Sequence, residues 1–206
     1  MKSFLPSLFL LILLGSQCPG LSQSIELMPG TQRVFVDVQW LKPLKQNQYD
    51  WTLFNRTRLT VNYNNQSDIF SAFYLNYTTK YQFGPSLLGA ISNTNGTTAA
   101  GGVHFIHNTS SWMLFALLST EIKESPAQSL FVISRYRPSL NEQWKGYFSL
   151  EILSAIHQGH HRFSLQRIRA GVERTKWQFG AALNLSQAGK DFVVFANPGV
   201  FVRKEF

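Results

Sequence analysis

Charged side chains recur at every second position in several segments of this sequence. Successive side chains of a strand point to opposite faces, so charges two residues apart share one face. Such a set can form ion-pair ladders, or it can line a water-filled bore whose arginine excess favours anions. The set comprises Asp37, Arg56, Arg58, Arg135, Arg137, Glu151, Arg167, Arg169, Glu173, Lys176, Arg203 and Glu205. Ten residues are predicted to line a lumen: Asp37, Arg56, Arg58, Arg135, Glu151, Arg167, Arg169, Glu173, Lys176 and Gln178.

Histidine and serine offer a second kind of chemistry. A Ser–His pair on a barrel wall would suit a hydrolase, and the chain has five histidines: His104, His107, His157, His160 and His161. No local motif supports catalysis, so an enzyme is not expected. The turn at 157–161 could hold zinc or copper, but neither carboxylate nor cysteine lies beside it. No metal site and no cofactor are predicted.

Alternating segments of about ten residues must position these side chains. The clearest one runs from Thr175 to Ser186, where Trp177, Phe179 and other apolar residues alternate with polar or small ones. Period-two alternation between turn residues is typical of strands. The predicted strands span 33–41, 51–63, 68–78, 81–92, 97–107, 112–121, 128–137, 144–156, 162–173, 175–186, 192–196 and 200–206.

This count predicts an antiparallel barrel of about twelve strands, or ten if the Pro85 segment and one neighbour are irregular. A polar connection is expected at 42–50 and a turn at 197–199. The apolar phase changes near Gln166, which predicts a β-bulge. The segment 112–121 is apolar on both faces, so periodicity leaves its orientation open.

The first residues form a targeting segment. Lys2 precedes the apolar run 8–14, and small residues at Gly20 and Ser22 predict cleavage after Ser22. A lipoprotein acylated at Cys18 is the alternative. Cleavage leaves a cysteine-free single domain, 23–206, with a net charge of +7 after Lys2 is removed from the +8 of the whole chain. Export makes nucleic acid the least expected partner.

Three all-β folds could accommodate this pattern: a soluble lipocalin-like barrel, a soluble sandwich and a membrane barrel. About twelve strands would leave a soluble barrel with an interior too wide to fill. The apolar face is therefore better placed in lipid. An aromatic girdle at the headgroups is predicted from the residues near strand ends, Trp40, Trp51, Tyr63, Tyr77, Trp112, Trp144 and Trp177.

The sequence resembles Gram-negative outer-membrane β-barrel proteins. The resemblance covers the signal peptide, the strand rhythm and a last strand that ends on the aromatic Phe206, as in the signal that the barrel-assembly machinery recognises in that class. Lys204 departs from the hydrophobic residue that is usual at its position. The resemblance implies a bacterial outer-membrane location, with the lipid bilayer and the assembly machinery as partners.

The predicted function is a small, passive, porin-like channel that mildly prefers small anionic solutes. Two alternatives remain open, a non-conducting structural or interaction barrel and an outer-membrane lipid-modifying hydrolase.

Overall fold

Twelve strands make up the barrel. The computed structural model describes residues 22–45, 48–64, 66–94, 96–189 and 193–206. The strands are β1 (Ser22–Pro29), β2 (Arg33–Lys45), β3 (Gln48–Asn62), β4 (Ser67–Tyr77), β5 (Phe83–Ser92), β6 (Gly96–Asn108), β7 (Trp112–Glu121), β8 (Ala127–Tyr136), β9 (Lys145–His157), β10 (His160–Arg174), β11 (Trp177–Ala188) and β12 (Val193–Glu205). Each pairs antiparallel with its chain neighbours, and β12 closes the barrel on β1. This confirms the predicted closed antiparallel barrel.

The predicted signal peptide lies outside the described residues except for Ser22, where β1 begins. Cleavage after Ser22 therefore stays a prediction. Over the described ranges, no helix is long and apolar enough to cross a membrane.

The predicted strand count is right, but two of its assignments are wrong. The sequence reading missed β1, and it divided β12 in two by placing a turn at 197–199. Asn197 and Pro198 instead lie within β12 and pair with Asn184 and Leu183 of β11. The turn prediction failed because Asn, Pro and Gly, which usually form turns, lie in this barrel where β12 meets β1 and closes the ring.

Asn197 and Gly199 adapt β12 to that seam. The Asn197 side-chain oxygen accepts hydrogen bonds from the backbone N–H groups of Gln32 and Arg33 at 2.9 and 3.3 Å, and its amide donates to Arg33 O at 3.1 Å. A Cβ on Gly199 would overlap the carbonyl oxygen of Pro29. The side-chain amide thus satisfies backbone groups of the β1–β2 turn, and glycine allows the two backbones to approach.

The strands also extend further than their alternation indicates. β2 runs to Lys45 and β3 begins at Gln48, so the long polar connection predicted at 42–50 is wrong. The uncertain Pro85 segment is a full strand, β5. Its pairing with β4 ends at Asn76 and Ser86, whereas Pro85 pairs with β6 only. Proline can occupy this position because its missing N–H is not needed on the unpaired side.

The phase change near Gln166 does not come from a bulge at that residue. The register between β9 and β10 instead shifts near the start of β10, between His161 and Phe163. Phe163 and Leu165 share the inward face with Arg167 and line an interior cavity. The apolar residues therefore change face because the interior itself becomes apolar there.

Large apolar side chains cover the outer surface of the barrel. In β11, Trp177 and Phe179 are exposed, while Gln178 between them is fully buried. The outward-facing residues include Ile69, Phe73, Leu87, Ile91, Val103, Leu118, Leu130, Phe148, Ile168, Val200 and Val202. Soluble monomers rarely expose an apolar surface of this extent. A bilayer would cover such a face in an outer-membrane barrel.

All five tryptophans lie toward the rim that holds the chain termini. Trp112 and Trp177 are the first residues of β7 and β11, which start at this rim. Trp40 pairs with Gln23 near the start of β1. Trp51 lies near the start of β3, and Trp144 directly precedes β9. Of the predicted girdle only Tyr63 lies at the opposite rim, so the girdle is one-sided.

Candidate functional site

The interior of the barrel has two unlike sides. The inward residues of β9–β12 and β1–β3 form a mainly charged wall, which also holds one apolar cluster of Met28, Tyr147, Ala182 and Phe201. Those of β4–β8 form a mainly apolar wall. The buried members of the charged wall include Glu26, Asp37, Arg56, Arg58, Glu151, Arg167, Arg169 and Arg203. The buried centre of the apolar wall consists of Ala72, Tyr74, Leu117, Phe131 and Ile133. Along β4–β8 the interior of the barrel is therefore mainly apolar.

Ion pairs join opposite sides of the barrel at mid-height. Arg56 and Arg58 of β3 reach Glu151 of β9 at 2.6 and 2.5 Å. In a closed ring of twelve strands, β3 and β9 are six strands apart in either direction, so these contacts span the full diameter. Asp37 contacts Arg56 at 2.5 Å and Arg167 of β10 at 3.3 Å. We call these five residues the bridging network.

A second group of charges lies beside the bridging network. Glu26 of β1 binds Arg169 of β10 at 2.8 Å and lies 3.9 Å from Arg203. Arg169 also donates to the Asn184 side chain at 2.9 Å. The sequence reading missed Glu26 because it missed β1. The alternation of Ser24, Glu26 and Met28 with Ile25 and Leu27 was the available signal.

The remaining predicted lumen residues have different positions. Glu173 accepts a hydrogen bond from Gln178 at 3.0 Å, and both are buried on the inward face. Arg135 of β8 donates to Gln39 of β2 at 2.8 Å, again across the barrel. Lys176 is a correction: it is exposed in the two-residue turn between β10 and β11, and its positive φ of 65° is typical of such hairpin turns.

Among the described residues, the cavities inside the barrel include two of very different size. A cavity of about 570 Å³ extends from the rim away from the chain termini, near Asp68 and Glu121, down to Arg58 and Arg167. Among the charges themselves, a void of about 10 Å³ lies between Glu26, Asp37, Gln39, Arg56, Arg135, Ser149, Glu151, Arg167, Arg169 and Arg203. That void has room for about one water molecule. The lumen is thus a cup with a charged floor, and we call the larger cavity the cup.

A Ser–His pair occurs in the wall, at Ser86 and His104. The Ser86 hydroxyl donates to the Asn76 side-chain oxygen at 2.6 Å and contacts His104 Nδ1 at 2.8 Å. Because that hydroxyl has one proton, Nδ1 must be the donor to Ser86. Nε2 can then accept from the Thr78 hydroxyl, which lies 2.9 Å away. This polarity is opposite to that of a base activating a nucleophile, and His104 is buried.

The histidines of the β9–β10 turn take part in local hydrogen bonds. His161 contacts Gly189 O at 3.0 Å and the Ser164 hydroxyl at 2.9 Å. His157 Nε2 lies 3.4 Å from the Ser125 hydroxyl. Within the described ranges, no group of three or more His, Cys, Asp or Glu side chains is placed to hold a metal ion.

The last strand ends at the rim that bears the tryptophans. Phe206 is half exposed, and its backbone N–H donates to Gln23 O at 3.0 Å. The Lys204 ammonium lies 4.8 Å from the centre of the Trp177 ring and 3.4 Å from Thr175 O. The lysine that departs from the class pattern therefore packs against a rim tryptophan, with its charge at the turn.

Comparison with known proteins supports the fold alone. No protein-family model and no curated protein matches the sequence. Among solved structures, LpxR from Salmonella typhimurium is similar with a TM-score of 0.53 at 7% identity, covering 90% of this chain and all of that one. An engineered protein from a study of asymmetric conductivity, at 8% identity, and a mutant Rh. blastica porin, at 9%, each cover 91% of this chain and 99% of their own. Their TM-scores of 0.25 and 0.24 are too low to support an argument. The fold is that of the outer-membrane β-barrel class.

Proposed function

We propose that the protein is an integral β-barrel of the bacterial outer membrane that does not conduct ions and whose lumen is a binding cup. The observation that carries this proposal is the bridging network, in which Arg56 and Arg58 meet Glu151 across the full diameter. A hydrated ion could pass only by separating these buried pairs, and leaving a buried charge without its partner costs about 3–5 kcal/mol. The network favours the non-conducting alternative over an anion-preferring pore.

The membrane location rests on the outer surface and the rim. Apolar side chains such as Leu87, Leu118 and Val200 surround the barrel, and the tryptophans gather where headgroups would lie. Phe206 supplies the end on which the assembly machinery would act. A folded barrel of this class should migrate faster on a detergent gel before heating than after it, and we expect that shift here. Identical migration of heated and unheated samples would contradict a membrane barrel.

The lipid-hydrolase alternative receives less support. Ser86 and His104 are adjacent, but the Ser86 proton is committed to Asn76 and neither side chain lines the cup. A nucleophile needs a base that accepts its proton and a path for the substrate.

Conductance measurements distinguish the proposed closed cup from an open pore. The refolded protein is inserted into planar bilayers, and we expect no current steps. The quadruple variant Arg56→Ala, Arg58→Ala, Arg135→Ala, Glu151→Ala removes the contacts between β3 and β9 and the hydrogen bond between β8 and β2, and it should conduct. The pair Arg162→Ala, Glu121→Ala is the matched control, because it removes an ion pair at the mouth, away from the bridging network. Steps from the unmodified protein, with anion preference, would overturn the proposal in favour of the pore.

A further inference from the structure

The cup combines apolar sides with a charged floor. Its sides include Phe70, Leu88, Leu117, Phe131, Leu153 and Leu165, and its floor contains Arg58 and Arg167. A volume of about 570 Å³ lies within the range of about 300–1,000 Å³ that small-molecule sites occupy. Water cannot form hydrogen bonds with apolar walls, so a ligand with a substantial apolar part is favoured over water in this space.

The floor carries an excess of positive charge. The bridging network contains three arginines, Arg56, Arg58 and Arg167, and two carboxylates, Asp37 and Glu151, which leaves a net charge of +1. At the mouth, the cavity is lined by two arginines, Arg33 and Arg162, and two carboxylates, Asp68 and Glu121, and Glu121 also pairs with Lys123. An anionic group is therefore favoured at the floor.

Two floor arginines also have unused hydrogen-bond donors. The Nε–H groups of Arg58 and Arg167 are buried and donate to no atom in the described part of the chain. Both guanidinium groups are held against aromatic rings, Arg58 at 5.6 Å from Phe70 and Arg167 at 5.3 Å from Phe35. A buried donor without an acceptor is unfavourable. These two nitrogen atoms have almost no accessible surface, so a ligand oxygen can accept from them only after the guanidinium groups turn toward the cup. A carboxylate or phosphate at the floor would still match the net positive charge there.

We infer that the cup binds a single-chain anionic amphiphile, with its carboxylate or phosphate at Arg58 and Arg167 and its hydrocarbon chain along the apolar wall. This inference rests on the proposed cup, since an open bore would have no floor. The apolar wall begins next to the floor arginines, because Tyr74 and Phe131 line the cup together with Arg58. A headgroup at the floor therefore places the first carbons of its chain directly against aromatic rings.

The test uses the refolded full chain in amphipol, so that no free detergent competes for the cup. Palmitate, hexadecyl phosphate and hexadecanol have the same chain length and differ in the headgroup. Native mass spectrometry gives the stoichiometry, and calorimetry gives the affinities. We expect one bound palmitate, with hexadecanol bound about tenfold more weakly because it lacks a charge-assisted hydrogen bond. Tighter binding of hexadecyl phosphate than of palmitate would indicate that the natural ligand is a phosphate-bearing lipid. Tighter binding of palmitate would indicate a free fatty acid.

Two pairs of variants locate the bound molecule. Ala90→Phe fills the cup, and its neighbour Gly89→Phe is the matched control because a side chain at Gly89 meets open space on the outer face. We expect Ala90→Phe to abolish palmitate binding and Gly89→Phe to keep it.

Arg167→Gln should erase the preference for palmitate over hexadecanol, whereas Arg174→Gln, at an exposed arginine, should leave it unchanged. If Arg167→Gln does not fold, the Ala90–Gly89 pair still decides whether the ligand lies inside.

Palmitate binding that survives Ala90→Phe would place the lipid on the outer surface and overturn the inference. A tenfold preference that survives in folded Arg167→Gln would equally exclude a headgroup at the floor. Neither result would disturb the proposed cup as long as bilayers show no current steps. Current steps from the unmodified protein would instead refute the cup itself.

Discussion

The charged wall and the apolar wall of the lumen exclude water by different means. On the charged wall, long side chains from β3 and β9 reach across the diameter and neutralise one another, as Arg58 and Glu151 do at 2.5 Å. On the apolar wall, rings pack beside one another, and the Tyr74 and Phe131 centroids lie 6.2 Å apart. A barrel of twelve strands is wide enough to need both, because neither wall alone fills its centre.

The difference also explains where the cup lies. Ion pairs are directional and close the lumen at one level, where Asp37, Arg56 and Glu151 meet. Apolar side chains have no such preferred partner, and above that level Leu88 and Leu117 line a cavity. The floor of the cup is therefore electrostatic, while its sides are made by packing.

The charged wall should be the more sensitive of the two to single substitutions. Asp37→Asn removes a carboxylate that faces Arg56, Arg58 and Arg167 and leaves these three charges with the single carboxylate of Glu151. We expect the free energy of unfolding to fall by about 3–5 kcal/mol, measured by urea titration of the protein in vesicles. Asp68→Asn, at an exposed rim aspartate, is the control. Equal effects of the two substitutions would mean that the wall does not depend on this pairing.

The apolar wall should respond in a graded way. Ile133→Val removes one buried methyl group from the cluster around Phe131 and should cost about 0.5–1.5 kcal/mol in the same urea titration. Ile168→Val makes the same change on the outer face, where lipid can fill the space, and should cost less. If the outward substitution costs as much as the inward one, the apolar wall is not packed as described.

Arg135 tests the boundary between the two walls. It extends from the apolar wall to Gln39, and no carboxylate of the described residues forms an ion pair with it. We expect Arg135→Met to change the unfolding free energy by about 1 kcal/mol or less, in either direction, because no ion pair is lost. Arg56→Met, which loses pairs with both Asp37 and Glu151, should cost several times more. A large loss of stability in Arg135→Met would assign this residue to the charged wall.

The alternation predicted the orientation of most strands correctly where only one face is apolar. In β11, for example, Trp177 and Phe179 face outward and Gln178 faces inward, as the alternation from Thr175 to Ser186 predicts. Alternation failed where the interior is apolar as well. In β7, Leu117 is buried and Leu118 is exposed, but two leucines in succession give no phase. In β10, Phe163 and Leu165 suggested a bulge because the interior was assumed to be polar.

The candidate site was predicted as a set of residues but not as an arrangement. Nine of the ten predicted lumen residues lie on inward faces, and Lys176 does not. Whether those charges line a bore or close it depends on partners such as Arg58 and Glu151, which are 93 positions apart in the chain. No local pattern contains that information, because the pairing depends on how far each strand lies around the ring.

The sequence by itself determined that this chain forms an antiparallel barrel with an apolar outer face, because period-two alternation and short connections act over neighbouring residues. Only the tertiary structure decided that β1 pairs with β12, that the residues 197–199 continue a strand, and that the lumen closes. These features depend on strands that meet from opposite ends of the chain or from opposite sides of the barrel. Their side chains become partners only when the barrel closes.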